Sequence, residues 1–172
     1  MPGKLQKNGT KEVILTTANQ FLGFMKLLTN NNGNYTNGQT FEGWTIKLGN
    51  DIVINNQNVA VSVVAGNANQ LFNAKSVQGT KPGGASSSFK GTFDGQGYTI
   101  SGIYIDNSNT SDGFAAIFPA TNDGAVIKNV TVTNSYLKGQ RYVGGLVGQH
   151  LGGQLEIEKV YVNADIITTE WS

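Results

Sequence analysis

Ile127-Lys128-Asn129-Val130-Thr131-Val132 and Ile157-Glu158-Lys159-Val160-Tyr161-Val162 are one six-residue phrase written twice, 30 residues apart. A third version, Ile100-Ser101-Gly102-Ile103-Tyr104-Ile105, stands 27 residues before the first of these. All three place Ile or Val at the first, fourth and sixth positions. Alternation within Val130-Thr131-Val132 sends Val to one face of a strand and Thr to the other. The two residues between the first and fourth positions indicate a bend. Leu48, Ile52 and Ile54 form a looser, earlier copy.

A second element repeats between the copies. Gly113-Phe114-Ala115-Ala116-Ile117-Phe118 corresponds to Tyr142-Val143-Gly144-Gly145-Leu146-Val147. A period of 27 to 30 residues suits one circuit of short strands and turns in a β-solenoid. On that reading Ile103, Val130 and Val160 stack in one inner column, each contributing about 1.5–3 kcal/mol on burial. Tyr104 and Tyr161 then take equivalent outward positions two coils apart, a candidate aromatic contact stripe.

Upstream, Val13-Ile14-Leu15 reads as a short strand. Thr17 is placed to cap a helix over Ala18 to Thr29, with Phe21, Leu22, Met25 and Leu28 on one face. Asn30-Asn31-Asn32-Gly33-Asn34 ends it. An amphipathic helix here suits the lid of a solenoid, whose end otherwise exposes apolar residues and unpaired strand edges. Trp44 to Leu48, Asp51 to Ile54 and the apolar run Val59 to Val64 read as strands, and residues 65–88 as a long Gly-, Asn- and Ser-rich loop. The division expected is one domain over 1–172. Within it, the strand and capping helix occupy 12–34 and the coils 41–166, in a chain continuing beyond Ser172 in its natural setting.

Composition narrows the function classes. The 172 residues carry 12 Lys and Arg against 11 Asp and Glu, a net charge of +1, with no dense basic patch. That removes the electrostatic basis for a nucleic-acid partner. Charged residues are only 13% of the chain, and 23 glycines accompany abundant Asn, Thr and Ser, a mixture that favours turns between short strands. The absence of cysteine excludes disulfides, thiol catalysis and thiolate metal sites. No apolar run reaches membrane-spanning length, so no direct membrane insertion is expected of this segment. Sequons at Asn8, Asn34, Asn109 and Asn129 arise readily in so Asn- and Thr-rich a chain.

The stretch Val143-Gly144-Gly145-Leu146-Val147-Gly148, followed by Gly152-Gly153, resembles the GLUG-motif repeats of bacterial surface and adhesin-like proteins. Phe89 to Gly102 is similar to the segment that precedes such repeats, and Leu48 to Ile52 to the entry strand upstream of it. The resemblance spans about residues 12 to 166, and its middle copy departs from the pattern where Phe118-Pro119-Ala120 replaces the final Val-Gly. It implies an all-β fold: a right-handed parallel β-helix, or solenoid, with a short N-terminal capping helix. It implies structural roles for Gly144, Gly145, Leu146 and Gly148. It further implies an extracellular location at the bacterial cell surface, with signal and anchor outside this sequence. The function expected is an adhesive or spacer module, its partner a host or cell-surface protein or a glycan.

The residues offer little for catalysis, and no enzyme is expected. His150 is the only histidine and follows a turn glycine, so it lacks partners for a triad or a metal cluster. Asp94, Asp106, Asp112 and Asp123 all sit beside Asn or Gly at turns, which is the commoner use of such carboxylates than paired acid–base work. Asp106 to Gly113 alternates oxygen-bearing residues, yet Ser111 and Ile117 stand where a calcium loop needs Gly and Glu. No cofactor is expected. The alternative to the adhesive or spacer reading is a glycan-binding or polysaccharide-processing protein.

Overall fold

The computed structural model describes residues 11–29, 39–78, 88–110 and 113–169. Chain order begins with β1 (Lys11–Leu15), α1 (Ala18–Thr29), β2 (Trp44–Leu48), β3 (Ile52–Val53) and α2 (Val59–Val64). A single 3-10 turn at Ala68–Gln70 leads to α3 (Lys75–Gln78), β4 (Thr92–Asp94), β5 (Thr99–Ser101) and β6 (Tyr104–Asn107). The remainder is β7 (Phe118–Thr121), β8 (Ala125–Gly139), β9 (Val147–His150) and β10 (Leu155–Thr168).

Eight strands form one parallel sheet, ordered β1-β2-β4-β8-β5-β3, with β6 and β10 also paired to β8. β7 and β9 form a separate parallel pair. The 15-residue β8 is the organiser: β4, β5 and β6 pair in succession along it, and β10 runs beside it. Side-chain rows cross the sheet. Val13, Ile46, Phe93, Ile127 and Ile157 share one row, and Ile52, Ile100, Val132 and Val162 another.

This architecture corrects the expected all-β right-handed parallel β-helix. The described residues form a mixed α/β fold with an eight-stranded parallel sheet and three helices, and they do not resolve into a solenoid. Two physical causes account for the difference. One long strand gathers three short ones along its length, where the repeat calls for equivalent circuits. The segment 59–78 is mostly helical where the repeat reading placed a strand and a loop.

The Val59–Val64 run became a helix because side chains satisfy its first turn. Asn58 Oδ1 accepts the Val61 amide at 3.0 Å, and Asn134 Oδ1 accepts the Val59 amide at 2.9 Å. Only Val59 is buried, whereas Val61 and Val64 face solvent. β-branched composition suggested a strand, and the capping contacts prevailed. Asn55 then fastens the segment to the sheet. Its amide donates to the carbonyls of Phe72 and Gly102, at 3.1 and 2.8 Å, and its oxygen accepts the Phe72 amide at 2.8 Å.

The helix α1 occupies the expected residues, with Thr17 Oγ1 accepting the Gln20 amide at 3.3 Å. Its apolar face enters the core through Phe21, Phe24, Met25 and Leu28. Phe24 stacks on Phe93 at 5.8 Å between ring centres and meets Phe118 edge-on at 6.0 Å. The helix is thus part of the core, beyond the lid expected of it. Residues 30–34, the part of the expected 65–88 loop at 79–87, and Asn8, Ser111 and Asp112 lie outside the described residues.

Candidate binding surface

Three residues hold the left-handed backbone conformation at successive corners: Gln96 (φ 54°), Asn129 (φ 54°) and Lys159 (φ 52°). Asp94 organises the corner from beneath. Its Oδ1 accepts the Gln96 amide and the Asn129 Nδ2, each at 3.0 Å, while Lys128 stands 3.9 Å from its other oxygen. Burial alone raises the Asp94 pKa, but the hydrogen bonds from Asn129 and Gln96 and the Lys128 charge outweigh it and leave it below the usual value. The Gly97 amide closes the turn on the Asn129 carbonyl at 2.8 Å.

Above this corner lies an open groove of about 480 Å³ lined by Gln96, Gly97, Asn129, Val130, Thr131 and Lys159. Tyr161, in register with Thr131, leaves 60% of its surface exposed beside it. Lys159 and Glu158 form an exposed ion pair at 2.9 Å, which raises the Lys pKa and lowers that of the Glu. An aromatic face next to neutral amides and a hydroxyl can recognise a polar, uncharged ligand. A second open groove, of about 490 Å³, is lined chiefly by Asn56, Asn58, Asn134, Asn163 and Asp165. Asn134 is already committed there, donating to the Gln57 carbonyl at 2.8 Å as well as accepting from Val59.

The two tyrosines expected to form a stripe are separated. Tyr104 is buried, in register with Tyr136, and their rings lie 5.9 Å apart. Burial pushes both phenol pKa values up, and the nearby Asp106 charge adds to it. Tyr161 instead shares a row with Thr131 and Thr99. The inner column is corrected likewise. Val130 and Val160 are in register, whereas Ile103 lies a step further along β8, its amide donating to Ser135 Oγ at 3.2 Å.

The Gly144–Gly148 stretch leads into β9; Phe118 pairs with Val147 as the second repeated element anticipates, whereas Val143 bridges to Ala115, one residue beyond the expected Phe114. A β-carbon at Gly145 meets Val162 Cγ1 at 2.7 Å, and one at Gly148 meets the carbonyls of Tyr142 and Pro119 at 2.6 and 2.7 Å. At Gly144 it meets the Val147 carbonyl. Leu146 is buried in the core.

The carboxylates at the turns serve the backbone. Asp51 Oδ1 accepts the Thr99 amide and Asp123 Oδ1 the Gln154 amide, both at 2.8 Å. Asp106 accepts the amide and the hydroxyl of Ser108 at 3.1 and 2.6 Å. His150 Nδ1 lies 3.0 Å from the Thr121 hydroxyl, and its Nε2 lies 3.3 Å from the Gly153 carbonyl. Thr121 is wholly buried, so this pair presents no accessible nucleophile. Among the described residues no group of three His, Cys, Asp or Glu side chains is arranged to hold a metal, and no helix is long and apolar enough to cross a membrane.

Sequence reasoning passed over Gln96, Asn129 and Lys159. Their signal was faint: Asn129 and Lys159 hold the same third position in two copies of the repeated phrase, between an apolar strand end and the next Val.

No family model matches the chain, and no solved structure matches it. A stretch of 82 residues, 48% of the chain, is 37% identical to halomucin of Haloquadratum walsbyi. That stretch corresponds to about 1% of halomucin's length, and the similarity does not show the GLUG motif.

Proposed function

We propose that the chain is a non-catalytic module of an extracellular bacterial surface protein, with an adhesive or spacer role. The observation that carries this reading is the use of its acids: Asp51, Asp94, Asp106 and Asp123 each accept a backbone amide and so close turns or join segments. A carboxylate committed in that way is turned toward the chain and not toward a substrate. The partial similarity to halomucin supports the surface setting, and the close packing around Gly145 and Gly148 supports kinship with GLUG-motif repeats. A host or cell-surface protein, or a glycan, is the expected partner class.

The groove beside Tyr161 favours a second reading, in which the module binds a neutral glycan, with Tyr161 stacking on a sugar face and Asn129 and Gln96 reading hydroxyls. A glycan array probed with the full chain, run beside a polysaccharide-cleavage assay, separates the readings. Cleavage abolished by Asp94→Asn in a protein that remains folded overturns the non-catalytic reading. Glycan binding lost in Tyr161→Ala selects the second reading, and its absence selects the first.

A further inference from the structure

Thr99 of β5 stands opposite Thr131 of β8, and Ser101 stands opposite Thr133. Ile100 and Val132, between them, are sealed in the core, so the four hydroxyl residues share the outward face. Neighbouring strands lie about 4.8 Å apart and alternate residues about 6.6 Å apart, which sets the four in a two-by-two plate. All four are partly exposed. Among the described residues no protein group engages their hydroxyls, whereas the Ser135 hydroxyl donates to the Thr133 carbonyl and accepts the Ile103 amide. Val53, half exposed, continues the Ser101 row, and Tyr161 continues the Thr131 row from the other side.

Charge is kept away from this face. Residues 52–74, 95–105 and 129–137 contain no Lys, Arg, Asp or Glu, although such residues make up 13% of the chain. They hold β3, β5 and the middle of β8, which lie side by side. An ionic ligand finds no partner there, whereas each hydroxyl offers a neutral one a donor and two acceptor positions. Val53 and Tyr161 suit the C–H faces of a sugar ring. The plate also joins the two open grooves. Thr131 lines the first, Asn134 and Ser135 line the second, and Thr133 lies between. From Asn129 to Asn134 a strand reaches up to about 16 Å, longer than one sugar ring.

We propose, building on the glycan-binding reading, that Thr99, Ser101, Thr131 and Thr133 form the floor of the site and that its ligand is a linear, uncharged polysaccharide. An internal run of sugars lies along the plate from one groove to the other. Selection of a terminal sugar needs a pocket that encloses it, and this face is open.

The test is affinity electrophoresis of the full chain in gels containing laminarin, galactomannan, xyloglucan or dextran, beside gels containing polygalacturonate or alginate. Retardation is expected in at least one neutral gel and in neither acidic gel. Ser101→Ala combined with Thr133→Val leaves the corner groove intact and is expected to weaken that binding about tenfold at unchanged melting temperature. Thr133→Ser, which keeps the hydroxyl, is expected to retain it. Hexasaccharide fragments of the retarding polymer are expected to compete, and its monosaccharide is not. Full affinity in the double variant overturns the plate, and loss in Tyr161→Ala then leaves the corner groove alone as the glycan site. Competition by the monosaccharide as strong as by the hexasaccharide overturns the linear ligand, and so does retardation by either acidic gel. Failure of every polysaccharide to retard the chain defeats the glycan reading itself, and the plate with it.

Discussion

Asp94 and Asn129, 35 positions apart in sequence, meet at 3.0 Å where β4 gives way to the corner and β8 bends beside it. The contact is charge-assisted, and the same carboxylate oxygen holds the Gln96 amide. Asp94→Ala is expected to cost about 1–3 kcal/mol, measured by chemical denaturation, because the Gln96 amide and the Asn129 side chain lose a charged acceptor.

The same residue sets a pH dependence. Its pKa in the folded chain lies below the usual carboxylate value, so the stabilisation is present above the unfolded value of about 4. It is lost as pH falls through the folded value. Melting temperature is therefore expected to drop on acidification below pH of about 4, and to drop less in Asp94→Asn, which has no charge to lose.

Gly102 and Gly97 share a positive φ, of 77° and 83°, but differ in surroundings. A β-carbon at Gly102 runs into the backbone of Asn55, whereas at Gly97 it meets open space. Gly97→Ala is expected to cost about 1 kcal/mol from backbone conformation alone, and Gly102→Ala at least about 3 kcal/mol. Equal losses in thermal melts contradict the steric account.

Asn55→Ala removes three hydrogen bonds that tie the helical segment to the sheet. A loss of about 2–4 kcal/mol is expected, since the partner backbone groups are left unsatisfied. Hydrogen exchange then accelerates first at Phe72 and its neighbours and last in β8.

Phe24→Ala removes the ring that joins α1 to Phe93 and Phe118. The expected loss is about 3–5 kcal/mol by denaturant titration. A smaller effect than that of Phe72→Ala, a partly exposed position, is incompatible with a core-forming α1.

Much of this was legible in the residues and some was not. The helix α1 announced itself through apolar spacing and a Thr cap, and the 30-residue step from Ile127 to Ile157 is the observed register. The earlier copy was misread for a definable reason. Asp94 pairs with Lys128 and Thr99 with Thr131, so the corner between β4 and β5 holds two more residues than the matching bend of β8. A gapless comparison of β-branched residues cannot see that insertion, and it set Ile100 against Ile127 when its partner is Val132. Ile103 and Tyr104 are displaced from their expected rows by the same five positions that separate Ile127 from Val132. The helix at Val59 was hidden because its first turn is completed partly by Asn134, 75 positions away. The corner residues were equally obscure, since a left-handed Lys159 has no distinctive local signature.

The manner in which β8 gathers its neighbours governs how the molecule comes apart. Among the described strands β10 pairs with β8 alone, so shedding β10 leaves the other pairings of the large sheet whole. Dislodging β8 severs β4 from β5 and frees β6 and β10 together. A steady pull on β10 should accordingly give one early release followed by a single abrupt rupture, with β8 the seam at which the fabric tears.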